Sequence, residues 1–387
     1  MIAPTPQPTA SRYRPPAIAL HWLIAVLIFG GFGLGLFMHE LPASADKLRY
    51  FSWHKWTGVT VFGLALLRGI WRITHPVPPL PAGPRWEHAA AHLTHAALYL
   101  LMLAVPLSGW LHSSAAGYQT VYLGVLPIPD LLAKNLPLSE QLAKVHELLN
   151  YALLALLLLH AAAALQHHYL KRDDILRRML PQARSGLGAG LVTLFAVAAF
   201  SGIAALLLLS DADEGEHHQH AAETAAAPAA NLAGELNAEF RQMNVPVQGR
   251  FTAFHAEKLQ FDAAHLDQAS ASIVVDSASF DLGDADYNAE VRKKEWFDSA
   301  AFPQARFESE RVTRLADGRY QAAGQLTIKD KTQPAMAVFS VTEQADKATY
   351  TGEATISRAA FQIGDAEWND VLEDAVIVRF TISVPKS

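Results

Sequence analysis

The chain has 387 residues, 51% of them hydrophobic, and a formal net charge of −6, so it is too long for one ordinary domain and too apolar to be wholly soluble. That total sums a basic N-terminal half and an acidic C-terminal half, and nothing in it points to nucleic acid. The absence of cysteine excludes disulfides, thiolate metal sites, iron–sulfur clusters and thioether-attached haem, and leaves histidine as the obvious metal ligand.

The start, MIAPTPQPTASRYRPP, is polar and proline-rich and reads as no cleavable signal peptide. Four apolar runs follow, at about 17–38, 51–73, 92–111 and from His146 to His168. Each is near the length that a helix needs to cross a hydrocarbon core of roughly 30 Å. A fifth run covers about 187–209. Basic residues flanking the runs favour the cytoplasmic side. Arg12, Arg14, Arg68, Arg72, Arg85, Lys171, Arg172, Arg177, Arg178 and Arg184 fall on one side, against Lys47, Arg49, Lys55, Lys134 and Lys144 on the other. This places the N-terminus in the cytoplasm and everything beyond the fifth span in the periplasm of a bacterial inner membrane.

Imidazoles inside membrane helices are costly to desolvate and usually face the bundle interior to do chemistry. His146 and His160 lie about 21 Å apart and within about 40° of one face of the fourth helix. In this topology His21 shares the depth of His160, near the cytoplasmic face, and His54 shares that of His146, near the periplasmic face. Two pairs at matched depths, each from different helices, suit two haem b groups with bis-histidine ligation. A zinc site would instead gather three or four ligands at one point, and a proton relay gives no reason for pairing.

Residues 211–230 are polar and Ala-rich and read as a linker, with His217, His218 and His220 in a solvated acidic tether. Beyond it the period changes. SIVVDSASFDL, ARFESERVTRL, GRYQAAGQLTIKD, MAVFSVTEQ, ATYTGEATISR and AVIVRFTISV are short β-rich runs, many alternating, separated by turns. They predict an antiparallel barrel or sandwich, with EVRKKEWFDSAAF as a helical or irregular insertion.

The stretches ALHWL, WHKWTG, LLRGIWRITHPVPP, AHLTHAALYLLMLAVPLSGW, VHELLNYALLALLLLHAAAALQHHYL and DDILRRMLP resemble, in order and spacing, the bacterial cytochrome b561 family. The resemblance implies two haem b groups, ligated by His21 with His160 and by His54 with His146. It also implies a ubiquinone contact at His167 and haem-propionate partners at Arg68 and Arg72. Relatives of this kind include a superoxide oxidase, for which Lys47, Arg49, Lys55, Lys134 and Lys144 would form a cationic rim. His92, His95 and His168 receive no role.

The stretches VPVQGRFTAFHAEKLQFD, ASIVVDSASFDLGDADYNAEVRKKEWFDSAAFPQARFES, DGRYQAAGQLTIKDKTQPAMAVFSV and ATISRAAFQIGD resemble the YceI-like family. That resemblance implies a lipocalin-like eight-stranded barrel around a cavity for an isoprenoid or quinone-like lipid, with Phe251, Phe254, Phe280, Trp296 and Phe297 as candidate lining residues. Asp330 stands in a turn where that family commonly has glycine.

The expected architecture is thus an α-helical membrane bundle of four haem-binding transmembrane helices (1–181) and a fifth transmembrane helix (182–210). After the linker comes an all-β periplasmic barrel (231–387). The expected function is electron transfer between a periplasmic reactant, superoxide among the candidates, and membrane ubiquinone. A lipid carrier with a cytochrome-like anchor and a cytochrome b subunit of a separate dehydrogenase are the alternatives.

Overall fold

The computed structural model describes residues 12–79, 83–180, 233–344 and 347–385, with four further positions between 194 and 202. Those positions apart, the expected fifth span lies outside the described residues, as do the linker and its three histidines. The chain divides into two compact units, one built mainly of helices and one mainly of strands.

The helical unit begins with α1 (Pro15–His39), which has proline in its first turn, where a missing N–H costs nothing. It continues with α2 (Ala45–Thr74), α3 (Arg85–Ala116) and, after a hairpin of β1 (Thr120–Tyr122) and β2 (Leu126–Ile128), α4 (Leu136–Gln166). A π-helical turn, His167–Lys171, extends α4 and leads to the short α5 (Ile175–Met179). Gly117 ends α3 in the left-handed conformation (φ 83°), and the Asn135 side chain caps the start of α4.

The helices pack on a core that includes Ile24, Ile28, Val61, Ala65, Leu98, Met102 and Leu153. Three of the four long helices, α1, α3 and α4 with its π turn, are long and apolar enough to cross a membrane. The second, α2, is long enough but carries His54, Lys55, Arg68 and Arg72 within its length, and these polar positions set it apart by composition.

The strand unit is a curled, all-antiparallel half-barrel. Its segments are β3 (Ala233–Gln242), β4 (Val245–Phe251), β5 (Phe254–Gln260), β6 (Ser270–Asp276), β7 (Phe280–Asp281), β8 (Gln304–Arg314), β9 (Tyr320–Ile328), β10 (Lys331–Glu343), β11 (Lys347–Ser357) and β12 (Ala375–Pro385). They pair in the order β5-β6-β8-β9-β10-β11-β12-β3-β4-β7.

Ten segments stand where eight strands were expected, because two long strands bend. β4 and β5 are separated by Thr252 and Ala253, and β6 and β7 by a 3₁₀ turn at Ser277–Ser279. The bends face each other: Thr252 N–H donates to Ser279 O at 3.1 Å, and Asp276 N–H to Ala253 O at 3.0 Å. The run SIVVDSASFDL is therefore broken at its serines, whose hydroxyls bond to backbone carbonyls instead of facing a ladder. The expected insertion supplies the end of α6 (Ala285–Val291) and then turns. At Asp330 the family's glycine is not needed, since the left-handed position of this two-residue turn is taken by Lys329 (φ 57°).

Candidate functional site

In the helical unit, α1 and α4 bring His21 and His160 together with ring centroids 6.2 Å apart, and α2 and α4 bring His54 and His146 to the same separation. A metal–imidazole bond is about 2 Å, so two imidazoles on opposite sides of one iron have centroids about 6 Å apart. Both pairs have that spacing. Backbone carbonyls fix the tautomers of the His54/His146 pair: His54 Nδ1 donates to Gly31 O at 3.1 Å, and His146 Nδ1 to Val105 O at 3.0 Å, with Ser108 Oγ also at 3.0 Å. In each ring Nε2 is left as the nitrogen for a metal.

Glycine keeps room around these rings. A Cβ on Gly35 would stand 3.2 Å from His54 Cε1, and one on Gly109 would stand 3.0 Å from His146 Cε1. The second of these is closer than ordinary packing permits. We expect Gly109→Val to displace His146 and lower the haem content of the purified protein, read as the haem-to-protein ratio. An unchanged ratio would show that the ring has no need of this space.

The His21/His160 pair has a third imidazole beside it, His95, whose ring centroid is 5.3 Å from that of His160. Arg68 Nε donates to Tyr99 Oη at 3.1 Å, and its guanidinium lies 5.8 Å from the centre of that ring. One terminal nitrogen of Arg68 is buried without a hydrogen-bond partner among the described residues. A buried guanidinium donor of this kind requires an anionic or carbonyl oxygen, which a haem propionate would supply. Four paired imidazoles, glycine-lined space and an unpaired buried donor all fit haem b. Arg72, one turn further along α2, is exposed.

Beyond His160, His167 Nδ1 donates to Asp173 Oδ2 at 2.5 Å, and His168 Nδ1 is buried without a hydrogen-bond partner among the described residues. At the other end, Lys55 donates to Tyr118 O at 3.3 Å, and Trp56 Nε1 to Val121 O in the β1–β2 hairpin at 2.7 Å. Sequence reasoning left His95 without a role and did not single out Tyr99 or Asp173. The spacing of His92 and His95 was visible, but which of them faces the core depends on helix rotation.

The strand unit encloses an apolar cavity of about 300 Å³, whose lining includes Phe251, Phe280, Trp296 and Phe297. Three of these rings form a contact triangle, with centroids 4.7 Å (Phe251–Phe280), 5.6 Å (Phe280–Phe297) and 5.9 Å (Phe251–Phe297) apart. Phe254 is not on the lining. It sits beyond the bend after β4 and packs with Leu236 and Ile382, because the bend turns its side chain away from the cavity. At one end of the cavity the buried guanidinium of Arg358 donates to Glu373 O (3.1 Å), Ile363 O (3.0 Å), Asn369 Oδ1 (2.8 Å) and Leu372 O (3.1 Å).

These features define a membrane protein whose helical bundle presents two histidine pairs, joined to an antiparallel β unit with an apolar interior. The chain belongs to the prokaryotic cytochrome b561 family, whose model matches residues 12–182, and a YceI-like domain follows over residues 228–384. Family membership implies haem b and a part in electron transport.

"Cytochrome b561 homolog 2" of Escherichia coli (strain K12) is 34% identical over 188 residues, 46% of this chain and 97% of that protein. "Probable superoxide oxidase CybB" of Yersinia pestis is 29% identical over 178 residues, 45% and 98% of the two chains. Among solved structures, BcnA of Burkholderia cenocepacia shares 36% identity over 39% of this chain and 96% of its own, with a TM-score of 0.37. A polyisoprenoid binding domain from Saccharophagus degradans shares 15% identity over 41% and 96%, with a TM-score of 0.33.

Proposed function

We propose that this protein carries electrons across the bacterial inner membrane, from a periplasmic reactant to ubiquinone, with superoxide as the leading reactant. The observation that carries the reading is the pair of matched contacts, His21 with His160 and His54 with His146, at the same centroid separation. Two haem b groups held at these pairs would supply one-electron redox capacity at two depths. The chain's own residues hold and orient. Gly31 and Val105 fix the outer imidazoles, Tyr99 holds Arg68 toward the inner pair, and His167 meets the quinone head group. The four long helices, α2 included, and the run at 187–209 serve as spans, with the N-terminus cytoplasmic and the β unit periplasmic. Lys55 and its neighbouring cations favour an anion at the outer face.

The β unit binds an isoprenoid or quinone-like lipid, for which the aromatic-lined cavity is the supporting feature. Two bulky substitutions test it. Ala322→Phe and Val378→Phe fill the lining, and each is expected to lower the isoprenoid recovered by solvent extraction of the purified protein severalfold; unchanged recovery would sink the cavity assignment.

The electron-transfer reading is tested in vesicles containing the full chain and ubiquinone, with superoxide generated outside. Quinol should form at a rate that scales with haem content. No quinol from fully haem-loaded protein would remove superoxide as the reactant, and quinol formation only with a co-purifying dehydrogenase would favour the subunit role.

A further inference from the structure

His167 and Asp173 are joined more tightly than a helix-end ion pair requires. The π turn at His167–Lys171 widens the end of α4, and Arg172 then adopts the left-handed conformation (φ 56°). These two features curl the chain back over His167. Arg172 N–H and Asp173 N–H both donate to His167 O, the latter at 3.2 Å.

The Asp173 carboxylate is fixed at both oxygens: Oδ2 accepts from His167 Nδ1 at 2.5 Å, and Oδ1 accepts from Ile175 N–H at 3.1 Å, at the start of α5. The short helix α5 is itself pinned. Trp22 Nε1 donates to Met179 O at 2.8 Å, Arg12 to Leu180 O at 2.6 Å, and Leu176 and Leu180 are buried against Trp22, Ala164 and Leu165. The two side chains are 20% and 22% exposed, so water competes weakly for the bond while part of the imidazole stays accessible. Fully exposed ion pairs contribute little and need no such scaffold. π turns inside helices concentrate at functional sites.

We propose that Asp173 is a positioning residue that holds His167 as the proton donor to the quinone head group. The inference rests on the quinone reading given above. With Nδ1–H committed to Asp173, Nε2 is the ring nitrogen left for a ligand. Once the ring has taken a second proton from cytoplasmic water, it donates Nε2–H to a quinone carbonyl oxygen. When electrons arrive, that N–H bond breaks and an O–H bond forms. The neutral ring keeps its Nδ1–H on Asp173, and Nε2 becomes an acceptor for the quinol hydroxyl. Quinone to quinol takes two electrons, from the one-electron periplasmic reductant acting twice, and two protons. One comes from His167, which is recharged from cytoplasmic water, and one comes from water directly.

The test uses the full chain with haem bound, chemically reduced and then mixed with a short-chain ubiquinone. Haem reoxidation is followed by its absorbance and quinone binding by quenching of tryptophan fluorescence. Asp173→Asn is expected to keep its haem content and bind the quinone within about threefold of wild type, yet to reoxidise at saturation about tenfold or more slowly, with a larger solvent isotope effect. Asp173→Glu should recover much of the rate. Should Asp173→Asn lose its haem through misfolding at α5, His167→Gln carries the same comparison, since it retains a hydrogen-bonding side chain but no transferable proton.

A wild-type saturating rate and isotope effect in a haem-loaded Asp173→Asn or His167→Gln protein overturns the proposal. Reduced wild-type protein that no quinone reoxidises overturns the underlying quinone reading, and this inference with it.

Discussion

His54→Ala is expected to leave one haem per chain where wild type holds two, and His160→Ala to do the same at the other depth. Each substitution removes one of two opposed axial nitrogens, and a b-type haem has no covalent link to retain it. The two sites are separated by about 21 Å along α4, so their losses should be independent and His54→Ala/His160→Ala should hold none. Reduced-minus-oxidised spectra with a haem count on the purified full chain give the answer. One haem or none in wild type would sink the two-pair assignment, and retention of both haems in His160→Ala would transfer ligation to His95, whose ring already lies beside it.

Arg358→Met is expected to destabilise the strand unit by about 3 kcal/mol or more, lowering its melting temperature by roughly 10 °C. Arg358 is only 4% exposed. Its guanidinium ties the start of a 3₁₀ turn at Ala359–Phe361 to Ile363, Asn369, Leu372 and Glu373 through three carbonyls and an amide oxygen. Methionine fills comparable volume, so the loss would come from four acceptors left without their donor rather than from a void. Beside it, Asp374 accepts from Ala359 N–H at 2.8 Å and Ser357 Oγ at 2.9 Å. The Ala359 N–H above all, then the Ser357 hydroxyl and the Arg358 charge, hold its carboxyl below the usual carboxylate range.

A carboxyl with a lowered folded-state pKa contributes stability that is present above its unfolded value, about 3.9, and lost as pH falls through the folded value. Melting of the strand unit should therefore weaken in that acid range, and less steeply in Asp374→Asn. Equal melting temperatures for wild type and Arg358→Met would show the bonds to be energetically idle.

The helical half was legible because haem-type pairing constrains sequence strongly. Histidines recur at intervals that fix both depth and face, and the apolar runs locate α1 and α3 within several residues, while α4 begins at Leu136, well before its apolar run at His146. Contacts that depend on how helices rotate against one another were not legible. His95 and Tyr99 meet the His21/His160 site through packing between helices, and the His167–Asp173 bond depends on a π turn that no periodicity announces.

In the β half, alternation located β8 to β12. It could not show that SIVVDSASFDL bends at its serines, because a bend is decided by which hydroxyls find carbonyls across the gap. Phe254, a candidate chosen as an aromatic residue of the YceI-like stretch, lies off the lining because the facing bends at Thr252–Ala253 and Ser277–Ser279 interrupt the strand just before it.

The identical centroid distances at the two histidine pairs make α4 a gauge of length. Of the residues between His146 and His160, exposed ones such as Leu148, Leu158 and Leu159 are replaceable in kind so long as the replacement is helical and apolar, whereas Leu153 is held in the core. The number of intervening residues is fixed, because one deletion would swing one imidazole about 100° from its partner and draw it about 1.5 Å along the axis. The same holds on α1 between His21 and Gly35, where a shift would close the space beside His54. At its exposed positions the bundle is therefore tolerant of substitution, while between the paired histidines it is intolerant of insertion and deletion at every position, an asymmetry set by helix geometry.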